Sequence, residues 1–226
     1  MYLQQVWTIA HKDLRSELRT REAINASLAF SITILVLFSF AFDPDNPDIK
    51  IDQLAGGLLW MVYAFAAALA LNRTFARELQ NDCLDALLAA PIPQSALFLG
   101  KTLANFALLL AIDILSLGVF SVLYNVKIAE HIGALLLVIL LGIWPMAAMG
   151  TFFSAITVNL RLRELMLPVM IYPALVPALL AAISLTGDLL HGGALRANDG
   201  ALKILVSFDI IFTSVAVMLI DFVLVG

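Results

Sequence analysis

Six apolar stretches, each about twenty residues long, constrain this chain more than any other feature. They cover roughly 24–42, 54–72, 102–124, 132–157, 166–186 and 203–225. A helix of about 20 apolar residues spans the hydrocarbon core of a bilayer. In that medium each backbone N–H and C=O must be paired inside its own segment, which selects helices. Charge content agrees, since only 13% of the 226 residues are charged, against roughly a quarter in soluble domains. The expected fold is an all-α integral membrane protein with six transmembrane helices, forming one domain over residues 1–226. The first 23 residues mix acids and bases and lack a small-residue cleavage site, so they do not read as a cleavable signal. Cys83 is the single cysteine and excludes a disulfide within the chain.

The distribution of Lys and Arg sets the expected orientation. Lys12, Arg15, Arg19, Arg21, Arg73, Arg77, Lys101, Arg161 and Arg163 fall on one side of the six spans. Lys50, Lys127, Arg196 and Lys203 fall on the other. The richer side is expected to be cytoplasmic, with both termini on it. The loop DPDNPDIKID, acidic and turn-rich, then faces outward.

Two polar segments stand on the expected cytoplasmic side. Residues 2–21 place Leu3, Val6, Trp7, Ala10, Leu14 and Leu18 near one helical face and the bases towards the other. Residues 1–23 therefore read as an interfacial helix with Trp7 at headgroup depth. The second segment, FARELQNDCLDALLAAPIPQSALFLGK, occupies residues 75–101 between spans two and three. Ala76, Leu79, Cys83, Leu84, Leu87 and Leu88 form a helical stripe, and Arg77, Glu78, Asp82 and Asp85 face elsewhere. Pro91 and Pro93 end that helix, and Ser95 is expected to cap the next one. The loop from 73 to 101 is far longer than a plain connection needs. The residues leave two readings open: a helix covering the underside of the bundle, or a docking element for a cytoplasmic partner. The chain has no Walker A motif, GxxxxGK[ST], and so no P-loop of its own.

The 75–101 segment resembles the cytoplasmic signature of type-2 ABC exporter permeases. KDLRSELRTRE leading into a span that ends FSFAF, and RELMLPVMIYPALVPALLAA over 163–182 with Pro168, Pro173 and Pro177, narrow the match. Together they make the chain similar to the haem exporter protein B (CcmB) family, the permease subunit of the cytochrome c maturation system. The resemblance covers nearly the whole chain. The family usually has glycine where Asp82 stands and often Glu where Asp85 stands.

The resemblance implies a permease that is not itself an enzyme and binds no cofactor. ATP would be hydrolysed by a separate CcmA-like ABC ATPase subunit docking on Glu78, Leu79, Asp82, Asp85, Leu87 and Leu88. The polar members would meet the ATPase and the leucines would rest on the permease. Pro91, Pro93 and Lys101 would form an elbow passing the motion to span three. Haem is the implied substrate, unless the complex instead releases a loaded haem chaperone. The implied partners are a CcmC-like haem-handling subunit, a small CcmD-like single-span subunit, the haem chaperone indirectly, a second copy in a homodimer, and lipid. No nucleic acid is expected. The implied location is a bacterial-type inner membrane.

Buried ionisable groups complete the candidate sites. Asp113 falls near the middle of span three and Asp209 about two turns into span six. A charged Asp at the bilayer centre costs about 2.5–3.5 kcal/mol or more. Such an acid must be protonated, paired or facing a wet cavity. The two acids leave a proton-coupled secondary transporter as an alternative, and the resemblance to type-2 permeases leaves an exporter of another substrate. Pro168, Pro173 and Pro177 predict a bent fifth span, serving packing or gating, whose freed carbonyls need other donors. His11, His131 and His191 are isolated from one another along the chain, a poor pattern for an axial haem ligand set. No metal site is expected.

Overall fold

The computed structural model describes residues 2–42, 51–75, 78–79, 90–126, 128, 131–158, 160, 162–196 and 199–225. Seven helices order the described residues: α1 (Tyr2–Thr20), α2 (Glu22–Ala41), α3 (Ile51–Leu71), α4 (Gln94–Leu123), α5 (Ile132–Thr157), α6 (Arg163–Leu190) and α7 (Gly200–Val225). The last six are each long and apolar enough to cross a membrane. The expected all-α, six-span architecture holds.

The spans run up and down, and α5 sits inside, packed against α3, α4, α6 and α7. Val138, Ile139, Ile143 and Ala147 of α5 are wholly enclosed. Small residues allow this closeness. A Cβ added at Gly142 would collide with the Trp60 ring, and one at Gly150 with Leu71. Lipid tails are as apolar as the helix faces, so packing and interhelical hydrogen bonds hold such a bundle. Trp60 Nε1 donates to Thr186 Oγ1 at 2.8 Å, and Trp144 Nε1 to Thr213 Oγ1 at 2.9 Å. The hydroxyls of Ser27, Tyr124 and Tyr172 donate to the carbonyls of Ala66, Leu35 and Ala64. Proline does not divide α6, which continues through Pro168, Pro173 and Pro177 as one helix.

Two boundaries and one cap depart from the sequence expectation. The interfacial helix stops at Thr20, because Arg21 takes a left-handed conformation (φ 56°). Its carboxylate neighbour Glu17 then accepts from the Ala23 N–H at 2.8 Å, satisfying one of the free donors that open α2. Second, α4 begins at Gln94, directly after Pro93, and is 30 residues long. At 1.5 Å per residue it measures about 45 Å, enough to cross the core and one headgroup layer. Third, Ser95 is not a cap: it lies inside the first turn of α4 and its Oγ accepts from the Tyr2 hydroxyl at 3.1 Å.

Gly142→Val should therefore separate α3 from α5 and lower stability by about 1–3 kcal/mol, the usual cost of overpacking. Gly133→Val meets nothing within 4 Å and should be silent. Unfolding of the two purified variants in mild detergent checks both outcomes.

Candidate functional site

The polar groups of the bundle gather where α1 crosses the start of α4. A Cβ at Gly100 would lie 2.7 Å from Ile9 Cβ and 2.9 Å from the Val6 carbonyl oxygen, so glycine permits the crossing. The next residue, Lys101, is 1% exposed. Its ammonium donates to Asp13 Oδ2 at 3.0 Å, Glu78 Oε1 at 2.6 Å and the Thr74 carbonyl at 3.0 Å. A lysine has three N–H donors, and all three are used. The ammonium also sits 4.8 Å from the centroid of the Phe75 ring, within cation–π range.

Each partner comes from a different place in the chain. Asp13 projects from α1, and Thr74 belongs to the turn 72–75 that closes α3. The carbonyls at a helix C-terminus carry partial negative charge, so the end of α3 is a natural seat for a cation. Glu78 belongs to the segment that follows. Lys12 joins from the rim, with its ammonium 2.9 Å from Asp13 Oδ1 and 3.6 Å from Glu78 Oε1. Burial pulls the Lys12 ammonium down most strongly, but Asp13 and then Glu78 outweigh it and hold its pKa above the ordinary value. Its contribution to stability is therefore complete below that ordinary value and is lost only as pH rises through the raised one.

One turn along α4, Asn105 continues the seam. Its Nδ2 donates to Thr74 Oγ1 at 3.0 Å and to Thr151 Oγ1 of α5 at 2.8 Å. A cavity of about 300 Å³ opens beside this cluster, lined by Lys12, Asp13, Leu14, Ser16, Glu17, Ala70, Arg73, Thr74, Glu78, Ala104, Asn105 and Leu108.

The structure corrects the expected orientation of the 75–101 segment at the two residues where it is described. Glu78, expected on the outward polar face, is 9% exposed and turned in on Lys101. Leu79, expected to rest on the bundle, is 37% exposed. A buried ammonium needs a carboxylate more than the bundle needs another leucine. Asp82, Asp85, Leu87 and Leu88 lie outside the described residues. Pro91 and Pro93 are both exposed, and Pro93 leads straight into α4. Lys101, expected at the mouth of span three, is instead its ionic centre. Asp13, Lys12, Thr74 and Asn105 were not singled out as site residues. The available signal was Lys101 itself, a cation at the head of an apolar run.

The two membrane acids stand apart from this cluster. Asp113 is 1% exposed, and neither carboxylate oxygen has a hydrogen-bond partner among the described residues. Its backbone carbonyl accepts from Tyr63 Oη at 3.0 Å. Asp209 is 8% exposed, with Oδ1 unpartnered on the same basis. Pro168 lines a small apolar cleft with Tyr172, and Pro173 and Pro177 lie at the exposed surface of α6. His11 is exposed on α1, His131 precedes α5, and His191 places Nδ1 2.6 Å from the Gly187 carbonyl. No group of three or more His, Cys, Asp or Glu able to hold a metal occurs among the described residues.

These features define a multi-pass helical membrane protein with a buried ionic cluster at one end of its bundle. The family profile described as CcmB protein matches residues 4–224. Heme exporter protein B of Rhodobacter capsulatus is 31% identical over 169 residues, covering 75% of this chain and 76% of that protein. The Paracoccus denitrificans protein of the same name is 30% identical over 169 residues, with 75% and 76% covered. That of Haemophilus influenzae is 27% identical over 178 residues, covering 78% of each. The chain belongs to the CcmB family.

Lys101→Met should leave Asp13 and Glu78 with only Lys12 at the rim as a cationic partner and destabilise the fold by up to about 3 kcal/mol. Replacing Lys101, Asp13 and Glu78 together with Met, Leu and Leu should recover most of that loss. Asp113→Leu should be neutral or stabilising by about 1–3 kcal/mol, the penalty of an unpaired buried polar group. Detergent unfolding of the purified variants reads all three.

Proposed function

We propose that this chain is the permease subunit of a haem export complex serving cytochrome c-type biogenesis. A separate CcmA-like ATPase hydrolyses ATP and docks on the segment after α3. The whole chain acts as one permease domain in an inner membrane, as one copy of a homodimer, with both termini cytoplasmic. The charge bias of Lys and Arg supports that orientation. CcmC-like and CcmD-like subunits complete the complex, and the haem chaperone receives its product.

The observation that carries the reading is the Lys101 joint. One enclosed ammonium fastens Glu78 of the docking segment to α1, to the end of α3 and to α4. A push on that segment has two routes into the bundle: through Glu78 to Lys101, and through Pro91 and Pro93 into the first turn of α4. The exposed Leu79, together with Asp82, Asp85, Leu87 and Leu88, remains the proposed contact surface. Glu78 serves it from behind as the anchor. Asp113 and Asp209 form the proposed polar path, with Pro168, Pro173 and Pro177 shaping α6 around it.

A driver role without haem passage is the second reading. It is favoured by the chemistry of the cavity beside Lys101, whose lining among the described residues offers no His, Cys, Met or Tyr as an axial ligand. Vesicles holding the complex with its ATPase separate the two. ATP-dependent haem accumulation on the far side supports transport. ATP-dependent release of loaded chaperone without haem movement supports the driver. Leu79→Asp and Asp85→Arg should each detach the ATPase in co-purification while the six spans remain inserted. An ATPase that stays bound through both changes rejects the docking surface.

A further inference from the structure

We propose that the cavity between α1, the end of α3 and α4 is a head-group site for an ethanolamine phospholipid. Its volume of about 300 Å³ lies at the small end of ligand pockets, the size of a head group and not of a macrocycle. Lys12, Arg73 and Asp13 stand at the polar rim, Glu17 and Glu78 lie deeper, and Ala70, Ala104 and Leu108 supply apolar wall. Leu108 lies about 10 Å further along α4 than Lys101, so the cavity grades from charged to apolar in the direction of the spans. That gradient fits an amphiphile.

The charges specify the head group. Glu78 is nine-tenths enclosed and spends Oε1 on Lys101, yet its Oε2 has no hydrogen-bond partner among the described residues. A buried carboxylate oxygen on a residue that lines a cavity calls for a donor. Lys12 and Arg73 offer cations for a phosphate, and Arg73 has committed one N–H, at 2.6 Å, to Glu22. A ligand that satisfies both signs carries a phosphate and a donor cation together. A primary ammonium donates three hydrogen bonds; a quaternary choline donates none, and a glycerol head group lacks the positive charge. Helix α1 stands at the right depth, since Leu3, Trp7 and Leu18 leave an apolar face uncovered beside its basic face, the pattern of an interfacial helix.

The test is native mass spectrometry of the full-length chain in mild detergent, with dioleoyl phosphatidylethanolamine, phosphatidylcholine and phosphatidylglycerol offered at equal concentration. The ethanolamine lipid should be favoured at least about tenfold, which one charge-assisted hydrogen bond supplies. Ala104→Phe fills the apolar wall without removing a charged group and should abolish the preference. Lys12→Met, at a half-exposed rim position, should weaken it severalfold and serves if Ala104→Phe does not fold. Equal occupancy by the three lipids overturns the proposal, as does a preference unchanged in the variants. Soluble phosphoethanolamine competing as well as the lipid would overturn the lipid assignment, because the apolar wall would then contribute nothing.

Discussion

The arrangement at the basic end of this protein follows from one buried cation. Lys101 is enclosed at the head of a long apolar helix, where an unpaired ammonium is not tolerated. Two carboxylates and a helix-end carbonyl therefore have to reach it. Asp13 brings α1 onto α4, and Gly100 removes the side chain that would keep them apart. Thr74 fixes how α3 ends, and Glu78 fixes which way the following segment turns. A helix that composition alone describes as a lipid anchor is thereby also a structural member of the bundle.

Away from that end, the bundle uses neutral chemistry. Indole, phenol and hydroxyl donors reach across helices to hydroxyls and backbone carbonyls. Each such bond contributes only about 0.6 kcal/mol on average in a membrane, so their value lies in fixing helix rotation as much as in stability. Asp113 departs from this pattern. It occupies a fully enclosed place on α4 with neither carboxylate oxygen bonded among the described residues. A residue that costs free energy to bury and gains no side-chain hydrogen bond among the described residues is the kind of local inconsistency that marks function.

The number and order of the spans were legible because the bilayer imposes a length and forces helical pairing. The close approaches at Gly142 and Gly150 have a different cause: small residues inside apolar runs let helices come together there. The rotation of the 75–101 segment was not legible. Its leucine stripe describes a helix with two faces without saying which one the bundle takes. At residues 78 and 79 the demand of Lys101 decides, and the glutamate goes in. The contact between Lys101 and Asp13 joins residues 88 positions apart, and no local pattern announces it. Arg21 in the left-handed region and Glu17 at the start of α2 are similar. They resolve a helix junction that carries neither proline nor glycine.

Coupling through this end is a question of what can move independently. The segment after α3 is tied to α4 through Glu78 and Lys101, while Pro93 opens α4 without an intervening loop residue. Asn105 then ties the same stretch of α4 to the α3 turn and to α5. Moving the segment while leaving α4 still requires separating buried opposite charges, which costs several kcal/mol. Moving them together separates none. Under the proposed function, the cheaper path is therefore a shift of the segment, α1 and the head of α4 as one piece. Strain would then fall on the bond from Lys101 to the Thr74 carbonyl and on those of Asn105 with Thr74 and Thr151, so those two threonines mark where the moving piece would slide against the rest of the bundle.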